Sequence, residues 1–341
     1  MPASRLSSSL AVLAASTLLL SACSSDSADA EATGDDGGPM TVVTSTDVYA
    51  DLAARILGDT AEVSPLVDNS AADPHSYEAT PQDRLTVDRA DVIVANGGGY
   101  DPFITRLAAT SGKEDAVYQL IEGENAHAGE EGEHEEGEHE EGDHAGGEHE
   151  GEHEDAHAGH DHSSEFVNEH IWYDLAAMSD FVEDFSAHMG ELSPENAELY
   201  TENATELAAE IDALDERNRG IEAEGLSFLS TEAVSQFLLT DAGLEDSTDA
   251  QFLAAVEHGD DVSVRLYQEA LSAAADQEID LLSYNPQTET NQSAQIREAA
   301  EGADVAVLDF NETIPEEFDS YTEWMESNIA AVETVVEESR G

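Results

Sequence analysis

Two stretches of this chain alternate short apolar strands with segments of helical spacing, and a long amphipathic segment separates the two stretches. Strands are predicted at 41–45, 62–67 and 91–96 in the first stretch, and at 226–230, 279–284 and 305–308 in the second. Strands that alternate with helices form parallel sheets with helices packed on their faces. We therefore expect an α/β fold of two lobes, each a mainly parallel sheet flanked by helices.

The segment between the two stretches predicts one long helix. Its apolar residues keep a single stripe from Tyr200 to Leu214. Ser193 and Pro194 precede it, and Ser is favoured at the N-cap and Pro at the first helical position. A helix from Ser193 to about Gly220 spans roughly 40 Å at about 1.5 Å per residue. We interpret residues 193–222 as a rigid connector between lobes at 41–192 and 223–341, with a surface helix of one domain as the alternative.

The amino-terminal segment resembles an export signal. Arg5 precedes a short apolar run, which ends in Leu-Ser-Ala-Cys at 20–23, and this tetrapeptide looks like a bacterial lipobox. It implies a lipoprotein signal peptide at 1–23, cleavage before Cys23 and a lipid on that residue. Residues 24–40 then form a flexible tether. Cys23 is the only cysteine, so disulfides and thiolate metal sites are excluded.

Acidic residues dominate the whole chain. There are 78 acidic and 11 basic residues, and only 18 of the acidic ones lie in the tract at 122–165. The remaining 60 still far outnumber the basic residues, so nucleic acid is excluded as a partner because nothing would neutralise its phosphates. Such a surface repels itself at low salt and is screened at high salt. We hypothesise that the source organism lives in high salt.

The tract at 122–165 is rich in His, Glu and Gly and has no apolar period, which predicts a disordered loop within the first lobe. Neutral imidazoles bind borderline metals, and the neighbouring carboxylates concentrate cations. We expect an auxiliary zinc-scavenging loop, with a solvated spacer as the alternative. An HExxH match at 153–157 is discounted because that motif works only on an ordered helix. The candidate ligands of the loop are His127, His134, His139, His144, His149, His153, His157, His160 and His162.

Two histidines outside the tract lie in motifs of their own. His75 lies in Asp-Pro-His-Ser-Tyr-Glu at 73–78, in a loop that the adjacent proline stiffens. His170 lies in Glu-His-Ile-Trp-Tyr-Asp at 169–174. Glu232 and Glu312 each follow the carboxyl end of a predicted strand, which is where open α/β sheets bind ligands. Taken singly, either carboxylate could equally be solvated surface.

The two histidine motifs, the His-rich loop between them and the long helix together resemble the zinc- or manganese-binding lipoproteins of ABC importers, the cluster A-I solute-binding proteins. The resemblance covers the chain from Thr41 onward and implies one metal held between two lobes by four side chains. It assigns His75 and His170 to the first lobe. It places Glu232 where zinc-type members have a third His and manganese-type members have a Glu. The last ligand is Glu312, with Asp309 as the alternative.

Two imidazoles and two carboxylates form a harder ligand set than three imidazoles and one carboxylate, which favours Mn²⁺ or Fe²⁺. Zn²⁺ has the higher intrinsic affinity and suits the His-rich loop, so we expect Zn²⁺, with Mn²⁺ as the alternative. Four protein ligands leave no open position for water, which argues against an enzyme. Because the imidazoles must be neutral, affinity should fall as the pH drops through about 6.5.

The resemblance implies that the protein captures the ion outside the cytoplasm, lipid-anchored to the cell membrane. It implies delivery to an ABC transporter permease with its ATPase, and we expect a monomer. Two alternatives remain at this point. One is a surface adhesin or metal buffer of the same fold, and the other, less favoured, is a zinc metallohydrolase.

Overall fold

Two four-stranded parallel sheets form the framework of the protein in a computed structural model, which describes residues 38–68, 73–121 and 168–341. The strand orders are β2-β1-β3-β4 and β6-β5-β7-β8, and all neighbouring strands run parallel. The strands are β1 (Met40–Thr46), β2 (Ala61–Val67), β3 (Val92–Gly97), β4 (Val117–Ile121), β5 (Ser227–Ser230), β6 (Glu245–Asp246), β7 (Leu281–Tyr284) and β8 (Ala306–Asp309). The predicted α/β fold with two parallel sheets is confirmed.

Helices cover the faces of both sheets. The α-helices are α1 (Asp47–Leu57), α2 (Pro81–Val87), α3 (Pro102–Ser111), α4 (Leu175–Leu192), α5 (Ala197–Arg219), α6 (Gln236–Asp241), α7 (Ala250–Glu257), α8 (Val264–Ala275), α9 (Asn291–Gly302) and α10 (Tyr321–Arg340).

The central strands of both sheets are buried and consist mainly of apolar or β-branched residues. Val42 pairs with Val63 of β2 and with Val92 of β3, and all six residues of β3 are buried. In the second sheet all four residues of β7 are buried. The edge strands β4 and β6 were not predicted. Every residue of β4 is only half-buried and β6 has two residues, so neither carries a clear apolar signal.

The long helix differs from the prediction at its start. Ser193 ends α4, because its backbone N–H donates to the carbonyl of Met189 at 2.9 Å. Pro194 cannot continue that ladder, and α5 begins only at Ala197, after a turn in which the N–H of Asn196 donates to the carbonyl of Ser193. The predicted N-cap role of Ser193 is therefore wrong. The helix packs along α4 and also contacts α1, α6 and α10.

One apolar core joins elements of both sheets. Tyr49 of α1, Trp172, Phe228 of β5, Leu281 of β7 and Trp324 of α10 belong to the same cluster of buried side chains. Two smaller clusters lie on the outer faces of the first and second sheets. Residues 39–341 form one compact unit, so the division into lobes at 192 and 222 stays a prediction.

Hydrogen bonds add to this shared core. The N–H of Ile314 donates to Asp47 at 3.2 Å, and the N–H of Tyr321 donates to Asp51 at 3.0 Å. The hydroxyl of Tyr321 donates to the carbonyl of Trp172 at 2.6 Å, within the buried interior. Tyr321 at the start of α10 and Ile314 in the segment before it are thus bonded to Asp47, Asp51 and Trp172.

Several predicted features lie outside the described residues. They are the signal peptide at 1–23 with the lipidation site Cys23, most of the tether at 24–40, and the His/Glu-rich loop with its nine histidines. Among the helices that the structure does describe, none has both the length and the apolar character needed to cross a bilayer.

Candidate metal centre

His75 lies on a tight turn between β2 and α2. The carbonyl of Pro74 accepts the N–H of Tyr77 at 3.3 Å, and the N–H of His75 donates to the carboxylate of Asp73 at 2.9 Å. The ring Nδ1 lies 3.0 Å from a carboxylate oxygen of Glu169. Nδ1 therefore carries the proton and Nε2 points away from Glu169. The edge of the ring packs against Tyr100, with centroids 4.9 Å apart.

His170 is fully buried and held in one tautomer by Asn168. The Oδ1 of Asn168 accepts hydrogen bonds from the backbone N–H of His170 at 3.0 Å and from its Nδ1 at 2.9 Å. The Nδ2 of Asn168 donates to the carbonyl of Ala233 at 3.0 Å, which sets the orientation of the amide. Nδ1 of His170 therefore donates. Its Nε2 is buried, has no hydrogen-bond partner and presents a lone pair.

Glu232 and Glu312 follow the carboxyl ends of β5 and β8, and Asn285, which follows β7, bridges them. The Nδ2 of Asn285 donates to Oε2 of Glu232 at 2.5 Å and to Oε1 of Glu312 at 2.7 Å. The hydroxyl of Thr288 also donates to Oε2 of Glu232. One oxygen of each carboxylate is thus engaged, and Oε1 of Glu232 and Oε2 of Glu312 remain.

The remaining donor atoms face His75. Its Nε2 lies 3.5 Å from Oε2 of Glu312 and 4.0 Å from Oε1 of Glu232, and its ring centroid is 5.5 Å from that of His170. Nε2 of both histidines and Oε2 of Glu312 are buried without a hydrogen bond. Buried polar atoms are normally paired. Unpaired nitrogens and an oxygen that face one another are the arrangement expected around a cation, since the ligands of a tetrahedral zinc lie about 3.4 Å apart at bond lengths of about 2.1 Å.

The charges of the site explain the protonation of its histidines. Burial and the neighbouring His75 hold the pKa of His170 well below its usual value, so this ring is neutral. Burial lowers the pKa of His75, but the hydrogen bond to Glu169 and the charges of Glu312 and Glu232 outweigh it and raise that pKa to about 10. Burial, with the charge of Glu232, raises the pKa of Glu312 to about 8. In the metal-free site, protons bound to His75 and Glu312 therefore balance the negative charge of the carboxylates.

The structure brings together four of the predicted site residues and leaves one alternative outside. His170, Glu232 and Glu312 lie around the ring of His75, but Asp309 lies on the surface with its side chain 45% exposed. There the guanidinium of Arg297 donates to it at 2.7 Å. Asp309 is engaged elsewhere, so Glu312 is the better candidate of the two. The nine histidines of the loop lie outside the described residues.

Sequence reasoning missed four residues around this site. Asn168 and Glu169 fix the two imidazoles, and they directly precede His170, so the motif itself was the available signal. Asn285 follows a predicted strand, as Glu232 and Glu312 do, and the same rule could have found it. Glu257 ends α7, a helix that the sequence did not predict, and no pattern pointed to it.

Comparison with known proteins is consistent with this geometry. A sequence model of the family described as ZnuA, zinc-uptake complex component A, periplasmic, matches residues 42–335. A high-affinity zinc uptake system protein ZnuA of Bacillus subtilis is 28% identical over 240 residues, which cover 70% of this chain and 69% of that protein. A manganese-binding lipoprotein MntA of Halalkalibacterium halodurans is 24% identical over 184 residues, 54% of this chain and 50% of that protein.

The fold also has solved counterparts. The structure of FpvC from Pseudomonas aeruginosa in complex with Mn²⁺ aligns with a TM-score of 0.65 and 20% sequence identity. The alignment covers 89% of this chain and 100% of that one. At this identity the likeness establishes the fold alone.

Proposed function

The chain belongs to the zinc-uptake complex component A family, and we propose that it captures Zn²⁺, with Mn²⁺ as the alternative, and delivers it to the permease of an ABC importer. It is a solute-binding protein and not an enzyme. The proposed ligands are His75, His170, Glu232 and Glu312. The observation that supports the proposal is the group of buried, unpaired donor atoms on His75, His170 and Glu312. Oε1 of Glu232 lies 4.0 Å from Nε2 of His75 and completes this group.

The arrangement suits capture of a metal better than chemistry on it. Both imidazoles are oriented through Nδ1 by neighbouring side chains, which leaves Nε2 as the donor and raises its basicity. Both carboxylates are oriented by Asn285. Four oriented ligands fill the shell of a tetrahedral Zn²⁺, and catalytic sites instead keep a position for water. The site therefore supports uptake and release of the ion.

Location and delivery follow from the family and from the amino-terminal motif. We propose that Cys23 carries a lipid that anchors the protein on the outer side of the cell membrane, and that the loop at 122–165 scavenges Zn²⁺ for the site. The two proposals predict lipid labelling that is lost in Cys23→Ser, and slower zinc loading after deletion of 127–162.

Metal titration of three variants tests the site. Deletion of 127–162 should leave one tight site per chain, whereas His75→Ala and Glu312→Gln should each remove that site while the loop still binds metal weakly. Asp309→Asn is the matched control and should bind as the wild type does, because that carboxylate pairs with Arg297. Loss of all tight binding in the deletion variant would instead move the site into the loop. Genes for a permease and an ATPase beside this one would support delivery.

A further inference from the structure

Glu257 is a half-buried carboxylate beside the candidate ligands. It is the last residue of α7, and its Oε1 accepts the backbone N–H of Ala233, the residue after Glu232, at 3.1 Å. Its Oε2 is buried and has no hydrogen-bond partner. One donor atom each from His75, His170, Glu232 and Glu257 lie within 4.8 Å of one another. This spacing places Glu257, which lines a cleft of about 620 Å³, among the candidate ligands.

We propose that Glu257 is a fifth metal ligand that sets how strongly Mn²⁺ competes with Zn²⁺ for this site. The inference rests on the proposed function, and it adds a donor that the sequence and the family resemblance do not assign. Oε2 is the donor atom, because Oε1 is held by the N–H of Ala233.

Hydrogen bonds to Glu232 and Glu312 limit each of these carboxylates to one free oxygen, so a fifth donor has to come from another residue. Asn285 and Thr288 occupy Oε2 of Glu232, and Asn285 also occupies Oε1 of Glu312, so each of these glutamates offers one oxygen. With the two imidazoles they supply four donors. Glu312 lies outside the group within 4.8 Å that Glu257 joins, and it adjoins that group through His75, whose Nε2 lies 3.5 Å from its Oε2. With Glu257 the candidate donors are two nitrogens and three oxygens.

The two metals use the fifth donor differently. Zn²⁺ is satisfied by four ligands in a tetrahedron. Mn²⁺ suits oxygen-rich sites of higher coordination number and binds more weakly than Zn²⁺ to any common set of ligands. A fifth carboxylate oxygen therefore strengthens Mn²⁺ binding more than Zn²⁺ binding, and it narrows the preference for Zn²⁺.

Glu257→Gln separates a metal ligand from a residue that only holds the backbone at Ala233. A purely structural Glu257 predicts unchanged metal affinity in this variant, whereas a ligand predicts weaker Mn²⁺ binding. Glutamine keeps the side-chain length and the oxygen that accepts the N–H of Ala233, so the loop after Glu232 stays in place. It replaces the anionic donor by an amide. Asp260→Asn is the matched control, because it removes an equal charge from an exposed residue lining the same cleft.

The test measures Mn²⁺ and Zn²⁺ affinity of the full chain by competition with chelators, together with the visible absorption of the Co²⁺-loaded protein. We expect Glu257→Gln to weaken Mn²⁺ binding by about tenfold or more, which is about 1.4 kcal/mol, and Zn²⁺ binding by less than about threefold. The Co²⁺ bands should gain intensity as the coordination number falls from five to four. Asp260→Asn should change neither the affinity ratio nor the bands.

Two results would overturn the inference: an unchanged ratio of Mn²⁺ to Zn²⁺ affinity in Glu257→Gln, or the same change in Asp260→Asn. If Glu257→Gln does not fold, Glu257→Asp replaces it in the test, since its side chain keeps the charge but is one methylene shorter. It should also lose Mn²⁺ affinity selectively. The proposed function fails separately, namely if the wild-type chain has no tight single site for either metal.

Discussion

Metal binding should release protons, and the number released should fall as the pH rises from 7 to 9. The metal-free site holds a proton on His75, whose pKa is raised to about 10, and one on Glu312, whose pKa is raised to about 8. A ligand must be deprotonated to coordinate, so a bound cation displaces both protons. His170 contributes none, because burial lowers its pKa and keeps it neutral.

The magnitude follows from these values. At pH 7 a group with a pKa of about 10 is fully protonated, and one with a pKa of about 8 is about nine-tenths protonated. We therefore expect His75 and Glu312 to release about two protons per metal at pH 7 and about one at pH 9. Burial and the charge of Glu232 raise the pKa of Glu257 to about 8, so coordination by Glu257 brings the total at pH 7 to about three. Because the groups interact, these counts belong to the cluster as a whole. The logarithm of the affinity should rise by the same number per pH unit.

Titration calorimetry in buffers with different ionisation enthalpies counts the protons directly. The variant lacking 127–162 should be used, so that imidazoles of the loop do not contribute. Glu257→Gln, which should keep Zn²⁺ affinity to within about threefold, should reduce the release at pH 7 by about one when Glu257 coordinates the ion. His188→Gln is the control, since this imidazole lies against Tyr118 and not among the candidate ligands. Release of less than one proton at pH 7, or a number that grows towards pH 9, would refute the reasoning.

Three further outcomes can be checked on the same protein. Asn168→Ala removes the partner that orients His170, and it should weaken metal binding by about 10- to 100-fold in chelator competition; Asn203→Ala, which breaks a bond to a backbone carbonyl of α1, should leave the affinity unchanged. Urea unfolding should show that the metal-free protein is less stable at pH 8 than at pH 6. Folding raises the pKa values of Glu257 and Glu312 from 4.5 to about 8, so the folded protein binds protons that the unfolded chain does not. The stability gained through these protons is lost as the pH rises through about 8. The loss should be roughly 1.4 kcal/mol per pH unit for each excess proton, and smaller with metal bound; a metal-free protein that gains stability over this range would contradict it. Melting temperature should rise from low to molar NaCl, since screening relieves repulsion among the acidic residues, and a flat or falling curve would contradict the idea of a surface adapted to high salt.

Two of the candidate ligands could be chosen from the sequence by a simple rule of the fold. Glu232 and Glu312 follow strands whose carboxyl ends meet at one edge of a parallel sheet, and position along the chain was enough to place them there. His75 and His170 lie in motifs that stood out by composition. The choice between Glu312 and Asp309 needed coordinates, because it depends on which carboxylate Arg297 engages.

Other parts could not be read from local patterns. Glu257 reaches the site from the end of a short helix, and only the packing of α7 brings it beside His75 and His170. The pH dependence of metal affinity also differs from the sequence-based expectation, which was a loss of affinity below about pH 6.5 from an ordinary imidazole. The carboxylates around His75 raise its pKa, so affinity should already fall below the pH of about 10 at which this group takes up its proton. Both features are products of tertiary contact.

The aromatic core that spans both sheets has a consequence for how the ion leaves. Pulling the two halves apart would expose Trp172 and Trp324, at about 1.5–3 kcal/mol for each large side chain, and would break the bonds of Tyr321 and Ile314 to the other half. Wide spontaneous opening is therefore rare. We expect a bound ion to have a long residence time in the isolated protein. Under the proposed function, docking on the permease, and not thermal fluctuation, would then set the rate at which the ion is released.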